Sequence, residues 1–174
     1  MCIRDRTGTF TFAGLAQSWN GVAAGANFGD VRVNRAGAAA VVALTNNARC
    51  TTISINTDAT FVDQLDLATF QLTATTTNVN TGGVLTMTGV ATATSLDADF
   101  LNVTGTVTEG LGNILVGRDL ALTGTWINNA TGVLIFDGVS VIQQWSATSS
   151  VGNVQVAGVP STGVRLAAAT TVST

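Results

Sequence analysis

The sequence contains no histidine, no lysine and no tyrosine, and only one proline and two cysteines among 174 residues. These absences exclude whole classes of chemistry. Without His there is no Ser-His-Asp triad, and Cys50 as the only thiol beyond the first six residues cannot build a zinc site. Without Lys there is no Schiff-base chemistry. Aromatic residues make up 6% and charged residues 10%, against roughly 25% charge in an ordinary soluble domain. The formal net charge is −3 and the seven Arg are scattered, so the chain lacks the basic stripe with which nucleic-acid binders release counterions. No nucleic-acid partner is expected, and no apolar run approaches the ~18 residues of a membrane-spanning helix.

What is present favours strands. Threonine occurs 29 times, and Thr and Val are β-branched, stiff at χ1 and suited to a pleated surface. "TGTFTFAGLAQSWNG" (7–21) is answered by "TGVLIFDGVSVIQQWSA" (131–147): Thr-Gly, alternating apolar positions ending at Phe12 and Phe136, then Gly14 and Gly138, then Trp19 and Trp145. Downstream, "FGDVRVNRAG" (28–37) answers "VGNVQVAGVP" (151–160), and "VVAL" (41–44) answers "GVRL" (163–166). Residues 7–44 thus resemble 131–166, one long repeat followed by part of a second. Residues 7–174 are expected to form a single segment truncated at both ends. "MCIRDR" (1–6) stands where the first copy's lead-in would be; it resembles a translated adapter or assembly scar of metagenomic gene models and is read as a non-native prefix. A Cys2–Cys50 disulfide, the natural pairing in an exported chain, disappears if that prefix is foreign.

A shorter period lies inside the long one. "LTMTGV" (85–90), "LNVTGT" (101–106) and "LALTGT" (120–125) share Leu, an apolar residue two positions on, then Thr-Gly. With looser copies at Ile53 and Phe70, the starts are spaced by 17, 15, 16 and 19 residues. Apolar positions with period 2 followed by Gly describe a strand and a turn. One such unit loses about 1–2 kcal/mol of backbone entropy per residue, whereas each buried aliphatic returns only about 1.5–3 kcal/mol. Single units cannot stand alone, and stacking supplies the missing hydrogen bonds and core. The expected fold is all-β, a right-handed parallel β-helix (β-solenoid), with a β-sandwich as the alternative.

The Thr-Gly-apolar-x-Phe-x-Gly pattern, the Trp after it, the later Val-x-Val and the lead-in "GTWINNATG" (124–132) resemble the repeats of very large secreted or surface-anchored bacterial proteins of the adhesin-like β-helix type. The resemblance covers nearly all of 7–174 and rests on packing and turn motifs. It implies a non-enzymatic structural or adhesive segment outside the cell or on its surface. Neighbouring coils of the same chain would be its partners, with surface glycans or proteins beyond them, and it implies no cofactor.

The alternative is a carbohydrate-binding or carbohydrate-active β-helix working through carboxylates. In "SLDADF" (95–100), Leu96, Ala98 and Phe100 are expected inward, leaving Asp97 and Asp99 side by side outward. "VDQLDL" (62–67) adds Asp63 and Asp66. Such pairs can bind calcium, or act as acid and base on a sugar when about 5–9.5 Å apart. As plain surface residues they are solvated charges that blunt strand edges. Trp19 and Trp145, at equivalent places in the two copies, are expected to pack at coil corners rather than to stack on sugars.

Overall fold

Alternation of small aliphatics with Thr, Asn and Ser gives short strands with one buried side, and the computed structural model stacks them into a parallel β-solenoid of about six turns. It describes residues 2–4, 8–21, 27–56, 58–88, 94–128, 131–138, 142–157 and 163–166. In chain order the strands are β1 (Cys2–Arg4), β2 (Phe10–Phe12), β3 (Ala16–Trp19), β4 (Asp30–Val33), β5 (Val41–Leu44), β6 (Ala48–Ile55), β7 (Asp63–Asp66), β8 (Leu72–Val79) and β9 (Gly83–Thr86). They continue with β10 (Thr94–Val103), β11 (Thr106–Thr108), β12 (Asn113–Leu122), β13 (Thr125–Ile127), β14 (Val133–Phe136), β15 (Gln143–Ala147), β16 (Asn153–Val156) and β17 (Val164–Leu166).

The even-numbered strands from β2 to β16 form one sheet, joined by β1, β15 and β17, and the odd-numbered strands from β3 to β13 form the other. All pairings are parallel except β1 with β2. Parallel neighbours about one interior rule out the β-sandwich.

The larger sheet is folded along an edge. Leu96 and Ala98 are buried, and so are Leu101 and Val103. The inward phase therefore slips by one residue at Asp99, where the register with β12 also breaks. Beyond that slip β12 divides its partners: Ile114–Val116 pair with β14, and Asp119–Leu122 pair with β15. The larger sheet thus supplies two faces of a three-sided prism and the smaller sheet the third. Inward positions align in columns, such as Phe10, Val31, Ile53, Thr77, Leu101, Leu120 and Trp145.

This corrects the short period. Asn102 lies one coil above Asn78 and donates to its side chain at 3.0 Å across a sequence separation of 24; Asn78 reaches Ser54 across a further 24. Among the starts read from sequence, Ile53, Leu101 and Leu120 share one column, whereas Leu85 lies in β9 on the other sheet and Phe70 precedes β8. An apolar strand followed by Thr-Gly describes one face of the prism, so the steps from Ile53 through Phe70 and Leu85 to Leu101 subdivide coils, and only the 19 residues from Leu101 to Leu120 make a whole one.

The glycines of "LNVTGT" and "LALTGT" do not adopt positive φ. They are required by coil spacing: a Cβ on Gly105 would lie 2.3 Å from the carbonyl oxygens of Asn80 and Gly83, and one on Gly124 2.1 Å from that of Gly105. Trp19 and Trp145 are buried and tilt against Phe12 and Phe136 at centroid distances of 5.5 and 5.4 Å, so packing is their role. Cys50 is buried and free.

Two features were not anticipated. β1, from the residues read in sequence as a prefix, runs antiparallel to β2, Cys2–Arg4 against Phe12–Phe10; an open edge accepts an extended segment of almost any composition. Thr77 occupies an inward column between Ile53 and Leu101, fully buried, and its hydroxyl has no hydrogen-bond partner among the described residues. Burying an unpaired hydroxyl costs about 1–3 kcal/mol. Thr77→Val, of the same shape, is therefore expected to raise stability by about 1 kcal/mol or more, as a higher urea midpoint.

Candidate functional site

The edge between the two faces of the larger sheet is where polar chemistry collects. Thr51, Thr75 and Asp99 occupy the bend in three successive coils, and all three are exposed. Beside them on the outer side run Arg49, Thr73 and Asp97, paired in register through β6, β8 and β10. Asn27 closes one end, its side chain in contact with that of Thr51 at 3.2 Å. Asn27, Arg49, Thr73, Thr75, Asp97 and Asp99 line a cleft of about 230 Å³ with Cys50 and Ala74 at its base.

Four carboxylates had been singled out, and the fold separates them into two pairs. Asp97 and Asp99 line the cleft. Asp63 and Asp66 lie on β7 in the other sheet and do not join them. Asp63, expected outward, is fully buried: its carboxylate accepts the backbone N–H of Ala40 at 2.6 Å and of Arg35 at 3.3 Å. Alternation along β7 turns Asp63 and Leu65 inward, and the carboxylate serves there as a cap for the loop ahead of β5. Asp66 accepts from the backbone N–H of Ala68 at 2.9 Å, a local turn contact, and from the Thr88 hydroxyl of the next coil at 2.9 and 3.0 Å. Phe100 is corrected as well: the slip at Asp99 turns it outward, and the Arg118 guanidinium stands 5.3 Å from its ring centre.

The electrostatics of the edge are unbalanced. Desolvation holds the Asp97 carboxyl above the usual carboxylate range, the nearby charges of Asp137 and Asp99 push it further, and Arg49 acts in opposition. Asp137 is raised too, by desolvation and by Asp99, against the pull of its own backbone hydrogen bond. Gly117 lies against Asp99, where a Cβ would stand 2.8 Å from Asp99 Oδ1. Asp63 is raised by desolvation despite its two backbone donors. Burial, helped by Asp30, pushes the Cys50 thiol up to about 12, which keeps it neutral and inert at the base of the cleft.

These shifts fix the sign of a pH effect. Asp63, Asp97 and Asp137 keep their protons to higher pH in the folded chain than in the unfolded one. Between the unfolded and folded values the native state binds more protons, so stability rises as pH falls through that window and levels off below the unfolded value. The thermal midpoint is expected to climb from about pH 7 toward about pH 4, and Asp97→Asn should flatten the climb. A midpoint that falls steadily across that range would contradict the assignment.

Arg49, Asn27, Thr73, Thr75 and Asp137 were not anticipated as neighbours of Asp97. Arg49, Thr73 and Asp97 follow one another at the coil spacing of 24 seen in the asparagine ladder, so the coil length would have found the first and third of these residues; nothing in the sequence points to Asp137. Among the described residues no three His, Cys, Asp or Glu side chains are grouped to hold a metal ion, and the cleft offers instead alternating donors and acceptors. No family model, no curated protein and no solved structure matches the chain.

Proposed function

We propose that the chain is a non-enzymatic structural segment of a large extracellular bacterial repeat protein, extending or presenting a surface. The observation that supports this reading is that the fold spends its distinctive residues on stacking. Aliphatics fill continuous inward columns, glycines set the coil spacing, and buried Asp63 ties backbone to backbone.

A second reading, a carbohydrate-binding or carbohydrate-active β-helix, is favoured by one observation: Asp97, Asp99, Arg49, Asn27 and two threonines meet in a single cleft. Hydroxyl-rich ligands suit such mixed donors and acceptors. A glycan panel assayed for binding and for hydrolysis separates the two. The structural reading expects no turnover and no binding that depends on the cleft. Turnover abolished by Asp97→Asn or Asp99→Asn, or saturable binding lost in those variants, would replace it with the second.

A further inference from the structure

The two copies of the long repeat are built alike. In the first, Phe10 pairs with Val31 and Phe12 with Val33; in the second, the matching Leu134 pairs with Val154 and Phe136 with Val156. Trp19 pairs with Leu44, and Trp145 with Leu166. The connecting corner is the same too. The backbone N–H of Gly14 donates to Gln17 Oε1 at 2.7 Å, and that of Gly138 to Gln143 Oε1 at 3.2 Å. In both, the Trp that follows tilts against the preceding Phe, at interplanar angles of 41° and 38°.

Yet the copies do not lie on the same faces. The column that starts at Phe10 runs through Val31, Ile53, Thr77, Leu101 and Leu120 and arrives at Trp145. It does not arrive at Leu134, the counterpart of Phe10, which sits above Ile114 on the neighbouring face. The same displacement holds one element later: Trp19 belongs to the smaller sheet, whereas Trp145 belongs to the larger. From Phe12 the chain makes five turns to Leu122, by way of Val33, Ile55, Val79 and Val103. It then crosses the face of Trp126 and reaches Phe136 before the next circuit closes.

We infer that the long repeat is out of phase with the coils, so that its second copy is set one face of the prism away from the first. The physical reason is that strand pairs within a copy need only each other, and nothing requires the repeat to contain a whole number of turns. The consequence for interaction surfaces is directional. Equivalent outward positions of the two copies face different sides of the prism, so a flat partner lying along one side cannot touch both; identical partners would dock around the axis instead. The inference rests on strand register and not on the surface role proposed above.

Cysteine cross-linking tests it in the full chain carrying Cys2→Ser and Cys50→Ala. Out-of-phase threading places outward Ile135 beside Leu115, whereas in-phase threading, with Phe136 above Leu122, would place Ile135 beside Ala121. Leu115→Cys with Ile135→Cys, and Ala121→Cys with Ile135→Cys, are treated with a short bis-maleimide and analysed by peptide mass spectrometry. Asn78→Cys with Asn102→Cys, adjacent in either threading, reports that the chain is folded and the reagent competent. Cross-linking of most of the first pair and little of the second is expected. Preferential linking of Ala121 with Ile135, or no linking of Leu115 with Ile135 while the control pair reacts, would overturn the inference.

Discussion

Gly124→Ala is expected to destabilise the solenoid by about 3 kcal/mol or more, at or beyond the upper end of the usual range for overpacking. The added Cβ would lie 2.1 Å from the carbonyl oxygen of Gly105, with further backbone atoms of Thr104 at 2.6 and 2.8 Å. Backbone cannot rotate aside as a side chain can. The adjacent coils must separate at this corner, and the N–H of Thr125, which donates to Gly105 O at 2.8 Å, is drawn away with them. Gly152→Ala makes the comparison: its Cβ would meet the movable side chain of Asn128, 3.2 Å at the closest, and the loss should be much smaller. Urea titrations followed by circular dichroism measure both. Equal effects would mean that glycine matters at these corners for turn geometry and not for the spacing of coils.

Leu101→Ala should cost about 2–5 kcal/mol, the range for removing a buried leucine and leaving a partly collapsed cavity. Leu101 is fully buried and lies in a column between Thr77 and Leu120, so atoms are lost from two coil contacts together. Thr75→Ala, at the exposed edge two residues before inward Thr77 on the same strand, should stay within about ±0.5 kcal/mol. If the two substitutions shift the urea midpoint alike, the inside and outside of the larger sheet have been exchanged.

How far the sequence discloses this fold depends on which residues are read. Leu101, Val103, Leu120 and Leu122 are legible as inward, because Leu-x-apolar-Thr-Gly is strand alternation followed by a tight corner, and all four are buried. Inward Leu96 and Ala98 followed by inward Leu101 and Val103 require a change of phase within β10, but the residue at which it falls is not legible. "LDADFLNV" alternates as smoothly as a straight strand until the slip at Asp99, which exposes the Asp and turns Phe100 outward beneath Arg118. Neighbouring coils decide where that slip falls. Asp63 misleads for a related reason. A carboxylate is ordinarily solvated, and this one is buried because two loop N–H groups, from residues 23 and 28 positions earlier, converge on it. Within the candidate site, Asp97 and Asp99 were readable as neighbours by their spacing, whereas Arg49 and Thr73 come alongside only through the length of the coil.

The strands lie across the long direction of the stack, and their hydrogen bonds run along it. Tension applied between the two ends therefore loads the inter-coil bonds row by row, in the manner of a zipper, and not all together in shear. The outermost coil yields first, and the force is relieved before the next one feels it. Along the column from Phe10 to Trp145 a coil takes 19 to 25 residues, so each coil that peels away releases roughly 60–90 Å of chain at about 3.3–3.6 Å per residue, in place of the roughly 4.8 Å it occupied between its neighbours. Under load the molecule would behave as a stack of extensible links, lengthening severalfold at modest force while the coils still seated keep their grip.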